Sequence, residues 1–255
     1  APGLRRLPLD ASLAPTAAEW ITVADLSNYG TGSYAYGLDY TGAILDIAAG
    51  DWNLLLGNEV QVDGTLLPTL FLTQPTLPPP DDVLDLLSGS TVLSSQVFFS
   101  HSCCTDHSGV LRYDVFGAPG AQWSVFLTKD KMGNPDAFAA WATEVPEPTV
   151  YVVGDTAIYK VLPDGTIVNQ QEIPLFTSFE PVQMRTDSAG RLYFAYSDVL
   201  SVFDTAGSNG FTELAHRTLL SATRFDLLEE DPSTVHVFYG QVDGEAMLGE
   251  QLFYW

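Results

Sequence analysis

Apolar residues along this chain fall in short runs rich in β-branched and aromatic side chains, and each run is closed by Gly, Pro, Asp, Asn or Ser. Helical spacing, with apolar positions three and four residues apart, is almost absent, so the runs predict strands. Pro80–Leu87 (PDDVLDLL) is the exception, where Asp81 or Asp82 can cap a turn or two of helix.

Aligning the turns exposes a repeat. Asp-x-x-Gly followed by an apolar run occurs at Asp39–Gly42, at Asp106–Gly109 and at Asp187–Gly190. Two more runs of the same kind, TVYVV from Thr149 and TVHVFYG from Thr234, follow turns that contain proline. The five runs begin at Ala43, Val110, Thr149, Arg191 and Thr234. After a longer first step they recur about every 40 residues, the size of a four-stranded propeller blade. The long step contains an insertion, Gln74–Ser90, expected to be a loop carrying the short helix.

The strand succession is readable inside a repeat. FAAWATEV, TVYVVGD, TAIYKV, a Pro163-Asp164-Gly165 turn and TIVNQQEI make one repeat; PVQMRTD, RLYFAYSD, VLSVFD and FTELAHRTL make the next. Asp63-Gly64 holds the same place in the first repeat as Asp164-Gly165, and Asp-Gly between apolar runs marks a hairpin because Gly takes positive φ freely. The last repeat ends at GEQLFYW, one strand short, while Trp20–Asp25 is a spare strand near the start. Lending that strand to the last sheet would close a ring and remove an open edge. The expected fold is therefore an all-β propeller of about five four-stranded blades (six if the long step hides a degenerate one), with an arm at residues 1–19 and the propeller over 20–255. A β-sandwich is the alternative that alternation leaves open.

Asp187–Asp204 (DSAGRLYFAYSDVLSVFD) and Thr149–Ile167 (TVYVVGDTAIYKVLPDGTI) resemble repeats of NHL-type, YncE-like and quinoprotein-like β-propellers. The resemblance covers Thr149–Tyr239 best. It implies a blade and no particular chemistry, since this superfamily hosts many functions.

Charge narrows the partners. The 255 residues carry 10 Lys and Arg against 32 Asp and Glu, a net charge of −22. So few cations argue against nucleic acid and against an anionic membrane surface as partners. No apolar run reaches the roughly 18–20 residues that a spanning helix requires, and the opening APGLRRLPLD lacks the continuous apolar segment of a signal peptide. Few lysines with abundant Ser, Thr, Gly and Pro fit an extracellular or virion- or particle-associated protein and leave the cytoplasm open.

The densest cluster of chemistry-bearing side chains is His101, Cys103, Cys104, Asp106 and His107. Three readings stand: hairpin-turn residues, a vicinal disulfide stiffening a loop, or a metal site, for which thiolate and imidazole are suitable ligands. The spacing matches no standard metal motif. Quinoprotein dehydrogenase propellers carry a vicinal cysteine pair near their cofactor, so that resemblance implies an oxidoreductase reading for this loop. No cofactor is expected, because the Trp-docking signature is not evident and the cations that would hold a cofactor's carboxylates are scarce. Paired carboxylates could make a secreted enzyme acting on a carbohydrate or lactone, with Asp46, Asp51, Asp114, Asp155 and Asp198 near strand ends. The Ser-x-Asp-x-Gly-x-x-Trp box of sialidases is missing, and no catalytic residue is assigned. Most of the five Trp are expected to pack between blades, with a minority available to stack on a glycan or a protein partner.

The favoured expectation is a non-catalytic binding or structural module in a larger assembly. Its contacts would be Arg5 and Arg6 in the arm, paired with an acidic surface of a neighbouring subunit, and Leu77, Leu84 and Leu87 in the insertion.

Overall fold

The computed structural model describes residues 3–6, 16, 21–25, 34–41, 44–51, 54–61, 87–101, 108–114, 117–118, 121, 123–133, 137–173, 182–196, 199–207, 210–218, 224–240 and 248–254. Among these residues the chain is nearly all β. Each sheet is an antiparallel meander whose strands follow one another in space as in sequence.

Two short strands come first: β1 (Gly3–Arg6) pairs with β2 (Ile21–Asp25). A three-stranded sheet follows, β3 (Tyr34–Thr41), β4 (Ile44–Asp51) and β5 (Leu54–Gln61). The next sheet has four strands: β6 (Leu87–Leu93), β7 (Gln96–His101), β8 (Ser108–Asp114) and β9 (Trp123–Thr128). A second four-stranded sheet holds β10 (Ala139–Thr143), β11 (Thr149–Val153), β12 (Ala157–Val161) and β13 (Ile167–Glu172). The third holds β14 (Val182–Thr186), β15 (Leu192–Tyr196), β16 (Val199–Asp204) and β17 (Thr212–Thr218). The last sheet has three strands, β18 (Arg224–Asp231), β19 (Thr234–Gly240) and β20 (Leu248–Tyr254).

The first strands of successive sheets lie side by side: β3 by β6, β6 by β10, β10 by β14, and β14 by β18. Each gap between later sheets is filled by its own core. Leu93, Phe98, Val110 and Phe126 meet Val150, Val152, Tyr159 and Val161 across the β6–β9 and β10–β13 sheets. Tyr151, Val153 and Ile158 meet Met184, Leu192, Phe194 and Phe203 across the following gap. Tyr193, Ala195, Leu200 and Val202 meet Phe225, Val235, Val237 and Phe253 across the last. Neighbouring residues of β11 therefore face opposite cores, which is why TVYVV is apolar without alternation and wholly buried. Each fully buried side chain of this size contributes about 1.5–3 kcal/mol of transfer free energy.

Polar ties register one sheet against the next. The Thr91 hydroxyl accepts from the Ala142 N–H at 2.9 Å, and the Trp141 indole N–H donates to Thr186 Oγ1 at 3.1 Å. Gln183 grips the Phe225 backbone at both ends: its Nε2 donates to the carbonyl at 2.8 Å and its Oε1 accepts from the N–H at 2.7 Å.

Several expectations change. The run from Val110 lies in β8, the third strand of its sheet, whereas those from Ala43, Arg191 and Thr234 lie in second strands. In that sheet the turn from first to second strand falls between Leu93 and Gln96, with Ser94 at φ 53° taking the bend. Trp20–Asp25 was expected to complete the last sheet, but among the described residues β2 pairs with β1. Gly3–Arg6 supplies an antiparallel partner, and among the described residues β18–β20 is three-stranded. Leu87–Ser90, expected in the insertion, belong to β6, and its remaining residues, 74–86, lie outside the described set, as does Asp63-Gly64. A four-residue helix, α1 (Lys129–Met132), was not foreseen. Gly133 closes it in the left-handed conformation, Met132 is buried in the core, and its carbonyl accepts from the Tyr159 hydroxyl at 2.7 Å.

Candidate functional site

The Asp-x-x-Gly turn resolves into a locked corner. The Asp187 side chain is fully buried, and its carboxylate accepts from the Ala189 N–H, the Arg191 N–H, Arg191 Nε at 2.5 Å and the Tyr193 hydroxyl at 3.2 Å. The same Arg191 donates through Nη2 to the Pro232 carbonyl at 2.6 Å, tying this corner to the last sheet. Ser188 donates through its N–H at 2.9 Å, and through its hydroxyl, to the Glu229 carboxylate. A second node joins Lys160, whose Nζ donates to Glu147 Oε1 at 3.0 Å and to the Thr205 carbonyl at 3.4 Å, with Tyr151, hydrogen-bonded to Thr205 Oγ1 at 2.7 Å. Asn169 ties to the neighbouring sheet through Gly207 and Gly210, donating to both carbonyls and accepting from the Gly210 N–H. These groups serve the architecture, and burial fits that role: it pushes the Tyr151 phenol up to about 12, away from use as a base near neutral pH.

A different surface is turned to solvent. In the last sheet Val235, Val237 and Tyr239 point into the core shared with the β14–β17 sheet, and so do Phe225 and Leu227. Period-two alternation then sends Asp226, Leu228 and Glu230 of β18, with His236 and Phe238 of β19, to the opposite side. Asp226 faces Phe238 across the ladder and Leu228 faces His236, so the group is contiguous. Leu228 is 45% exposed and Phe238 44%. The His236 ring lies parallel to that of Phe238, with centroids 6.2 Å apart, and its Nε2 lies 3.4 Å from Glu230 Oε2. Asp226 reaches back to Arg185 Nε at 3.3 Å, whose guanidinium in turn sits 4.5 Å over the Trp141 ring. In β11 and β15 both faces are covered by neighbouring sheets; in β18 and β19 one face carries this half-exposed apolar pair, one residue from each strand.

None of the sequence-derived site residues that lie among the described residues belongs to β18 or β19. Arg5 and Arg6 lie in β1, opposite Thr22 and Ile21. Leu87 and His101 stand opposite each other at the ends of β6 and β7. Cys103, Cys104, His107, Leu77 and Leu84 lie outside the described residues. No cluster with metal-ligand character occurs among the described residues. Of the carboxylates near strand ends, Asp46 and Asp51 are in β4, Asp114 closes β8 and Asp155 lies in the β11–β12 turn beside Tyr159, whose phenol is raised by burial first and by Asp155 second. Asp198 is outside the described residues. The signal that could have found this face was the contrast between TVYVV and TVHVFYG, continuous in one and interrupted by His236 in the other.

No family model matches the chain, and no curated protein does. Solved structures do. A nidogen/laminin complex matches at 14% identity and a TM-score of 0.59, over 98% of this chain and 89% of that one. The AfRom2 CNH domain matches at 8% identity and 0.52, over 96% and 69%. A Bacteroides caccae protein of unknown function matches at 10% and 0.51, over 87% and 78%. At such identities the likeness concerns the fold. With meander sheets joined first strand to first strand, the chain has a β-propeller-type fold. No helix among the described residues is long and apolar enough to cross a membrane.

Proposed function

We propose that this chain is a non-catalytic binding module, a subunit of a larger extracellular or virion-like assembly that contacts protein partners. The observation that carries the reading is the side of β18 and β19 away from the β14–β17 sheet, where Leu228 and Phe238 are close to half exposed, whereas the second strands β11 and β15 of the preceding sheets are almost wholly buried. Contiguous exposed apolar side chains rimmed by charge characterise interaction surfaces. Two further facts support it. Lys160 and Arg191, paired with Glu147 and Asp187, also donate to the Thr205 and Pro232 carbonyls of the next sheet and so hold sheets together, and one of the similar structures is that of a complex between two proteins. The N-terminal arm and the rim loops supply further contacts, and about five blades make up the ring.

The test is affinity purification of the tagged full chain from its native source after mild cross-linking. A second protein at fixed stoichiometry, in a species larger than the 27.7 kDa chain, is expected. Recovery of the chain alone, together with turnover of a panel of glycosides and lactones by the pure protein, would replace this reading with a propeller enzyme.

A further inference from the structure

We draw no further inference here: the strongest candidate, the side-chain cluster of Ser201, Glu213 and His216 on β16 and β17, carries nothing, because the three groups hydrogen-bond to one another and nothing beside them among the described residues points to a ligand.

Discussion

Replacing Gly190 by alanine probes how the Asp-x-x-Gly corner seats one sheet on its neighbour. Gly190 has φ +80°, and a Cβ built there would lie 2.4 Å from Pro146 Cδ and 3.0 Å from its Cγ. Two costs therefore act together. The left-handed backbone costs a residue with a Cβ about 1–2 kcal/mol. Forcing a methyl group into a filled space costs about 1–3 kcal/mol more, because the obstacle is a proline ring in the turn before β11 rather than the end of a flexible side chain. Gly133 separates the two: its φ is +85°, and a Cβ there meets nothing within 4 Å. Gly133→Ala should lose only the backbone part, about 1–2 kcal/mol, and Gly190→Ala about 2–5 kcal/mol in all. Urea unfolding followed by Trp fluorescence measures both, provided that the slope with denaturant is unchanged. If the two variants fall within about 0.5 kcal/mol of each other, the proline contact contributes nothing and the account of this corner is wrong.

Asp187→Ala should cost about 3–5 kcal/mol, because it strands the Arg191 guanidinium, itself only 11% exposed, without its buried partner; a loss below about 1 kcal/mol in the same assay would refute this. Gln183→Ala removes both hydrogen bonds to Phe225 and should cost about 1–3 kcal/mol, with faster amide exchange at Phe225 as the local reading. Tyr151 should ionise late. Burial is the main cause of its raised pKa, the Thr205 hydrogen bond works against the shift, and Glu147 and Asp204 add to it. The neutral phenol's contribution to stability is therefore complete below the ordinary tyrosine value of 10.0 and is lost as the pH rises toward about 12. Ultraviolet titration should show a late tyrosine step that Tyr151→Phe removes, and a titration unchanged by that substitution would contradict the burial argument.

How much was legible is clearest by comparing sheets. In β10–β13 and β14–β17 each strand and its order are written in the apolar runs and turns. Asp164 and Asp187 act as turn residues, their carboxylates accepting from backbone N–H groups two residues on. For Asp164 the hydrogen bond from the Thr166 side chain, and after it the one from the Thr166 N–H, hold the carboxyl below its ordinary value. In β6–β9 the same signals misled. The conspicuous Asp-x-x-Gly precedes the third strand, and the turn from first to second strand is made by Ser94 and Ser95, which carry no comparable mark. The helix α1 spans only four residues, too few for a periodic pattern to show.

Local chemistry thus determined by itself that the chain is built of meander strands, where most of them begin and end, and that acids far outnumber cations. Hydrogen bonding and steric limits within a few residues suffice for that. Which sheet meets which, where β2 finds its ladder partner, and which side of β19 is left to solvent were decided only in the tertiary structure. A strand's alternation says that it has two faces, but whether the second face is covered depends on an element far away in the chain.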